Sequence, residues 1–415
     1  MFGEPTSNYH KLYASDLDGI MRGKIVDRKK FDKSADGIGF CGAIFEWDCQ
    51  DEIYLEGCES NDIRMVSYPK TTRYSKWEKS IARLCDFPED PRCPRSLLRR
   101  LVDQCEEAKI MVYSGFELEW FMLKSGTMNP ITSGKAGYSM LRTSQNADMC
   151  QKIINNLNSY GIPVESFHTE TGYGMYEAAI APSNALEAAD RAILFKNAIK
   201  EMSSEWRITP TFMAKPMQFQ PGSAMHIHTS IFDKKTGKNI FSNKNGSETQ
   251  LFYYAIAGLQ NHFSGAMALV APYVNFYRRP PKNDDAPANL GWGVDNRTVG
   301  LRVPVSNPVS RRIENRIPGA DSNPYLAIAA TLACIWLGLE EEKMPKKPKL
   351  KSLEGVATLP RNLDIALDML EKSDAMHKTL GERFVKLFAE VKRTEAEAFL
   401  DVISPWERQY LLLNV

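Results

Sequence analysis

Residues 110–123, IMVYSGFELEWFML, form an apolar run long enough to cross a protein core as a strand, and they carry two carboxylates, Glu117 and Glu119, two positions apart. Side chains at that spacing share one face of a strand. Like charges on one buried face repel, so the strand can be buried only where a cation or arginine stands between them. The alternative is a strand end with both groups in water.

The surrounding sequence supplies alternating elements. Residues 9–91 read as short strands and turns, such as GIGFCGAIFEW and EIYLEG. Three prolines within residues 88–94 then precede the amphipathic SLLRRLVDQCEEA, which predicts a linker into a helix and a boundary near residue 95. The chain has 415 residues, more than the roughly 250–300 at which a single core stops growing. Two units are therefore expected, 1–94 and 95–415. Asn184 with Glu187 is a capping-box signal for a helix reaching about Trp206. Residues 223–232, SAMHIHTSIF, alternate with period two as a half-buried strand does. Residues 247–269 and 325–342 read as helices, the second introduced by Asn323-Pro324. Residues 363–403 read as one long, charge-laced helical stretch, and the basic KMPKKPKLK at 343–351 as a solvated loop.

Charge narrows the function classes. With 52 basic against 51 acidic side chains the net charge is +1, which lacks the broad footprint of a nucleic-acid binder. The N-terminus has no apolar h-region and no run approaches the roughly 20 apolar residues of a membrane span, so neither secretion nor membrane insertion is expected. Eight scattered cysteines without a CxxC pair read as reduced thiols of a cytoplasmic protein.

Three further groups join Glu117 and Glu119. In Glu170-Thr-Gly-Tyr-Gly-Met-Tyr-Glu177 two glycines permit a sharp turn that brings both glutamates to one cleft, or else makes a surface hairpin. His226 and His228 face one side of the alternating strand, which suits metal or phosphate ligation as well as a hydrogen-bonded core pair. Arg278, Arg279, Arg297, Arg302, Arg311, Arg312 and Arg316 offer guanidinium forks, and Arg312, Glu314 and Arg316 recur at strand spacing. Such forks bind phosphate or carboxylate bidentately; the alternative is a salt-bridged exposed strand. Jointly, five glutamates, a histidine and several arginines imply hard divalent cations beside a phosphate, Mg²⁺ or Mn²⁺ rather than zinc. Neither a Walker nor a Rossmann glycine motif is present.

The order FELEWF, E(x4)MYE, MAKP followed by GSAMHIH, NFYRR, DNRTVGLRVP, RRIENR and DSNPYLAIAA resembles the glutamine synthetase family over about residues 110–342. The resemblance extends more loosely to SDLDGIMRGK. The segments WGVDNRT, LPRNLDIALDMLEKSD and KRTEAEAFLDVISPWERQYL are more similar to the γ-glutamylpolyamine (γ-glutamylputrescine) synthetase branch. It implies an α+β fold: a small N-terminal β-grasp domain and a large catalytic domain with a curved antiparallel sheet and helices. It also implies a homo-oligomeric ring, commonly a dodecamer of two hexamers, acting on glutamate, ATP and an amine. By the same resemblance Glu119, Glu170 and Glu177 match the ligands of one metal, and Glu117, His226 and Glu314 those of a second. Arg279, Gly222 and Arg316 match glutamate-site positions, Glu165, His228 and Ser230 nucleotide-site positions, and Arg297, Arg302 and Arg312 the surroundings of the transferred phosphoryl group. Asp285 matches a flap glutamate that helps deprotonate the incoming amine. The chain departs from the family pattern at Asp285, one methylene shorter, at Met175 in place of glutamine, at Pro221 in place of asparagine, and in lacking a DGSS-like loop, for which Asp48 is a candidate replacement. The shorter flap and missing loop imply a wider acceptor pocket, with Trp47, Tyr138 and Trp292 expected near its entrance.

Overall fold

The computed structural model describes residues 8–34, 36–53, 61–279, 287–349 and 358–415. Short apolar–polar alternations in the first 86 residues build a five-stranded mixed sheet from β1 (Tyr9–Ser15), β2 (Met21–Asp27), β3 (Ile38–Cys41), β4 (Asp62–Ser75) and β5 (Ser80–Asp86), in the order β2-β1-β5-β4-β3. Only the β1–β5 pair is parallel. A single-turn helix, α1 (Arg28–Asp32), follows β2, and Pro94 at its first position starts α2 (Pro94–Glu107).

The apolar run at 110–123 becomes the longest strand, β6 (Ile110–Lys124). Around it stand β7 (Val164–Thr169), β8 (Met175–Asn184), β9 (Ile208–Thr211), β10 (Met225–Asp233), β11 (Trp292–Val294), β12 (Leu301–Val303) and β13 (Ile313–Asn315). Their order is β11-β12-β13-β10-β6-β8-β7, with β9 pairing the end of β6, and all neighbours but β11 and β12 are antiparallel. One face of β6 is covered by helices: Phe116, Leu118, Trp120 and Met122 share a core with α5 (Ala185–Ser203) and α7 (Pro324–Glu341). α3 (Met140–Gln145) and α4 (Ala147–Ser159) precede β7, and α6 (Gln250–Val270) packs along α7. The α7 helix is long and apolar enough to span a bilayer, yet most of it is buried among these neighbours, so its apolarity is that of a core helix.

Buried charge ties the layers together. Arg95 on α2 donates to Asp86 of β5 at 2.7 Å and, as a fork, to Asp190 of α5 at 2.9 and 2.8 Å, while the Tyr325 hydroxyl donates to Asp190 at 2.7 Å. Removing one member would leave the others buried and unpaired, which costs about 3–5 kcal/mol. At the other end, Lys392 is buried between Asp18 and Glu395 and lies over the Tyr273 ring at 4.5 Å.

Three sequence expectations change. Residues 363–403 are not one helix but α8 (Leu363–Glu371), α9 (Asp374–Leu380) and α10 (Glu382–Leu400), because Ser373 caps α9 and Gly381, at φ +96°, turns the chain where an L side chain would be strained. A last short helix, α11 (Pro405–Tyr410), carries a capping box of its own. At α5 the Asn184 side chain does accept from the Glu187 amide, at 3.0 Å, but Glu187 turns its carboxylate to Arg73 and Arg191, and the helix tightens into a 3₁₀ turn after Ser203. The loop after α7 is also more than solvated coil: Lys346 accepts from Trp292 and Lys349 donates to the Trp292 carbonyl.

Candidate active site

Antiparallel register sets the site. Residues directly opposite across a ladder point to the same face. On β7-β8-β6, His168 faces Glu177 and Glu177 faces Glu119. On β6-β10-β13-β12, Glu117 faces His226, and His228 faces Glu314, which faces Arg302. The spacing of two between Glu117 and Glu119 joins the two rows on the concave side left free by the helices. The strand-end and exposed-strand alternatives are thereby excluded.

The second row is tightly paired. Glu117 meets His228 Nε2 at 3.0 Å and His226 Nδ1 at 3.3 Å. Glu314, fully buried, accepts from Arg302 at 2.7 Å and Arg316 at 2.6 Å, and lies 3.8 Å from His226. Arg312 donates to His228 Nδ1 at 3.1 Å. Burial alone would raise both carboxyls, but the imidazoles hold Glu117 well below its ordinary range and, with Arg316, bring Glu314 to about 2. Burial and then Arg316 push His226 down, toward the neutral form that ligates metals.

The first row is the opposite case. Glu119 accepts from the Ala224 amide at 2.7 Å and Glu170 from the Thr171 amide at 2.9 Å, while burial and the mutual charges of Glu119, Glu170 and Glu177 push Glu119 well above, and Glu170 above, the usual carboxylate range. Three carboxylates so crowded fit a hard divalent cation, which restores the ionised forms.

This gives a pH-dependent expectation. Carboxyls whose folded pKa is raised contribute stability below the unfolded value, about 4.3, and lose it as pH rises through the folded value. The melting-temperature gain of Mg²⁺-loaded over EDTA-treated protein should therefore grow between pH 5 and 8. A gain that shrinks over that range in thermal-shift measurements would contradict the assignment.

Beside the first row stands Arg279, the candidate glutamate anchor, whose charge acts on Glu119. Arg279 is buried, donates to the carbonyls of Pro318 at 3.1 Å and Arg316 at 3.3 Å, and stays cationic although burial lowers its pKa to about 10. Its stem crosses Gly222, where a Cβ would stand 2.2 Å from Arg279 Cγ, so only glycine fits. Beside the second row a cavity of about 380 Å³ is lined by Glu165, His228, Ser230 and Arg312, with Tyr113 and Phe232 packed edge-to-face at 5.2 Å.

Arg297 is exposed, near enough to Glu170 and Tyr138 to act on both charges. Asp285, with the rest of its flap, lies outside the described residues. Asp48 is turned inward and caps its own loop, its Oδ1 accepting from the amides of Gln50 and Glu52. Trp292 is buried against Tyr253, and Trp47 packs beneath Arg22, whereas Tyr138 is 61% exposed. Sequence reasoning missed His168, Tyr113 and Phe232. The signal for His168 was its spacing of two from Glu170; for the aromatic pair it was their place on adjoining strands.

Comparison with known proteins accords with this geometry. A family model described as glutamine synthetase, catalytic domain, matches residues 91–411. Type-1 glutamine synthetase 2 of Dictyostelium discoideum is 36% identical, covering 98% of this chain and 84% of that protein. Glutamate–isopropylamine ligase of Pseudomonas sp is 33% identical (96% and 93%), and gamma-glutamylputrescine synthetase PuuA of Escherichia coli K12 is 29% identical (99% and 93%). Among solved structures, the GmaS/ADP complex superposes with a TM-score of 0.89 at 25% identity, covering 99% of this chain and 97% of that one. With a family model spanning more than three quarters of its length on the same carboxylate-bearing sheet, the chain belongs to the glutamine synthetase family of ligases.

Proposed function

We propose that this ligase joins the γ-carboxyl group of glutamate to an amine, by way of γ-glutamyl phosphate made at the expense of ATP. The observation that carries the reading is the pair of residue rows sharing β6, set between the buried Arg279 guanidinium on one side and a cavity on the other. Mg²⁺ or Mn²⁺ ions held by Glu119, Glu170 and Glu177 and by Glu117, His226 and Glu314 would neutralise charge on the transferring phosphoryl group. Arg279 anchors the α-carboxylate of glutamate and so aims the side-chain carboxylate at the phosphorus. Arg302 and Arg312, aligned by Glu314 and His228, face the phosphates with Arg297 at the open edge, while Arg316, also held by Glu314, serves the glutamate side with Arg279. The ATP base and ribose occupy the cavity at Glu165, His228 and Ser230. Asp285 on the flap receives the proton of the attacking amine, since only the free base is nucleophilic.

An alkylamine rather than ammonium is favoured by the shorter flap residue and the absence of a DGSS-like loop, which leave room for a carbon chain. Two relatives bear names of glutamate–amine ligases; others are named glutamine synthetases. Release of ADP should be measured with glutamate and a panel of polyamines, monoamines and ammonium. Turnover highest with an alkylamine is expected; turnover with ammonium alone would assign an ordinary glutamine synthetase.

Ring assembly belongs to the same reading. From the end of α10 onward the chain exposes Leu400, Val402, Ile403, Trp406, Leu412 and Leu413, apolar side chains suited to burial against another copy. Sedimentation should give a large homo-oligomer, and a fully active monomer would refute it.

A further inference from the structure

The family resemblance supplies the Glu119, Glu170 and Glu177 site with oxygen ligands only. His168 adds a nitrogen. Its ring stands opposite Glu177 in the β7–β8 ladder, with Nε2 3.4 Å from Glu177 Oε1, and the ring lies 3.7 Å from Glu170 Oε1 through Nδ1. One donor atom from each of His168, Glu170 and Glu177 can be chosen so that all lie within 4.8 Å of one another. Neighbouring donors of an octahedral ion with bonds of about 2.1 Å are about 3 Å apart, so the Nε2–Glu177 separation is close to that of two adjacent ligands.

Two further contacts prepare the imidazole for this. Nδ1 lies 3.3 Å from the Thr169 carbonyl, which can only accept, so Nδ1 carries a hydrogen; Nε2 meets a second acceptor in the Glu177 carboxylate at 3.4 Å, and a bound cation would take the place of the proton between them. That is how ligating histidines are oriented: one nitrogen donates to a carbonyl, the other binds. Tyr138 stacks on the ring at 4.3 Å between centroids and holds its plane.

We propose that His168 is a ligand of the glutamate-side metal, giving that site a mixed nitrogen and oxygen donor set that selects Mn²⁺ over Mg²⁺. An imidazole adds affinity for transition-metal ions, whereas Mg²⁺ favours oxygen. The inference rests on the reading that Glu119, Glu170 and Glu177 hold a divalent cation.

The test uses EDTA-treated full-length protein titrated with Mn²⁺ and followed by electron spin-echo envelope modulation, which detects ¹⁴N bound to manganese. Wild type should bind at least two Mn²⁺ and show nitrogen coupling at both sites. His168→Gln should lose one coupling and weaken one Mn²⁺ site about 10–100-fold, with Mg²⁺ affinity moving several-fold less. Should that variant not fold, His226→Ala in a wild-type His168 background isolates the same site, and nitrogen coupling must persist there. Unchanged coupling and Mn²⁺ affinity in His168→Gln, with both sites filled, overturns the role of His168 alone. Failure of wild type to bind Mn²⁺ at all overturns the cation reading and this inference together.

Discussion

Glu119→Ala is expected to lower ATP-dependent amide formation by several kcal/mol of activation free energy, on the order of 10²–10⁴-fold, while the protein stays folded. Glu119 sits on the central strand, among the other carboxylates, and its carboxylate accepts from the Ala224 amide. Losing that acceptor costs about 1–3 kcal/mol, and relief of repulsion from Glu170 and Glu177 offsets part of it. Folding should thus survive while one cation loses a ligand. Glu119→Gln, which keeps an acceptor for Ala224, separates the two effects: its melting temperature should match wild type and its turnover should still collapse. Ligation at the wild-type rate in either variant would remove Glu119 from the metal site.

Arg279→Ala should raise the KM for glutamate by the loss of about 2–5 kcal/mol, roughly 30- to several thousand-fold, because the substrate carboxylate would be left unpaired. The KM for ATP should move far less. The guanidinium is aimed by the Pro318 and Arg316 carbonyls and by its passage over Gly222, so Arg279→Lys, which reproduces the charge but not the fork, should recover only part of the loss. Equal effects on both substrates would place Arg279 at the phosphate.

Much of this was readable from spacing because strands transmit it directly. Two glutamates at a separation of two must share a face, and alternation in residues 223–232 put His226 and His228 on one face as well. What spacing could not supply was register. That Glu117 meets His226, while Glu177 sits between Glu119 and His168, depends on how β6, β8 and β10 slide past each other, and a one-residue slip would reverse every face. His168 therefore remained an unremarked histidine in VESFHTE. Long-range partners were likewise hidden: Lys392 is one of four lysines in the charge-laced stretch 363–403 until folding seats it between Asp18 and Glu395. The break at Gly381 was marked in the sequence by a glycine, but helical periodicity on both sides masked it.

On the proposed reading, glutamate is activated for attack by an amine larger than ammonia. The most direct measurement supplies glutamate, ATP, ammonium and a polyamine or monoamine together, at comparable free-base concentrations, and weighs the products by mass spectrometry. The γ-glutamyl amide of the alkylamine should dominate, with one ADP released per amide formed. Exclusive formation of glutamine would contradict it.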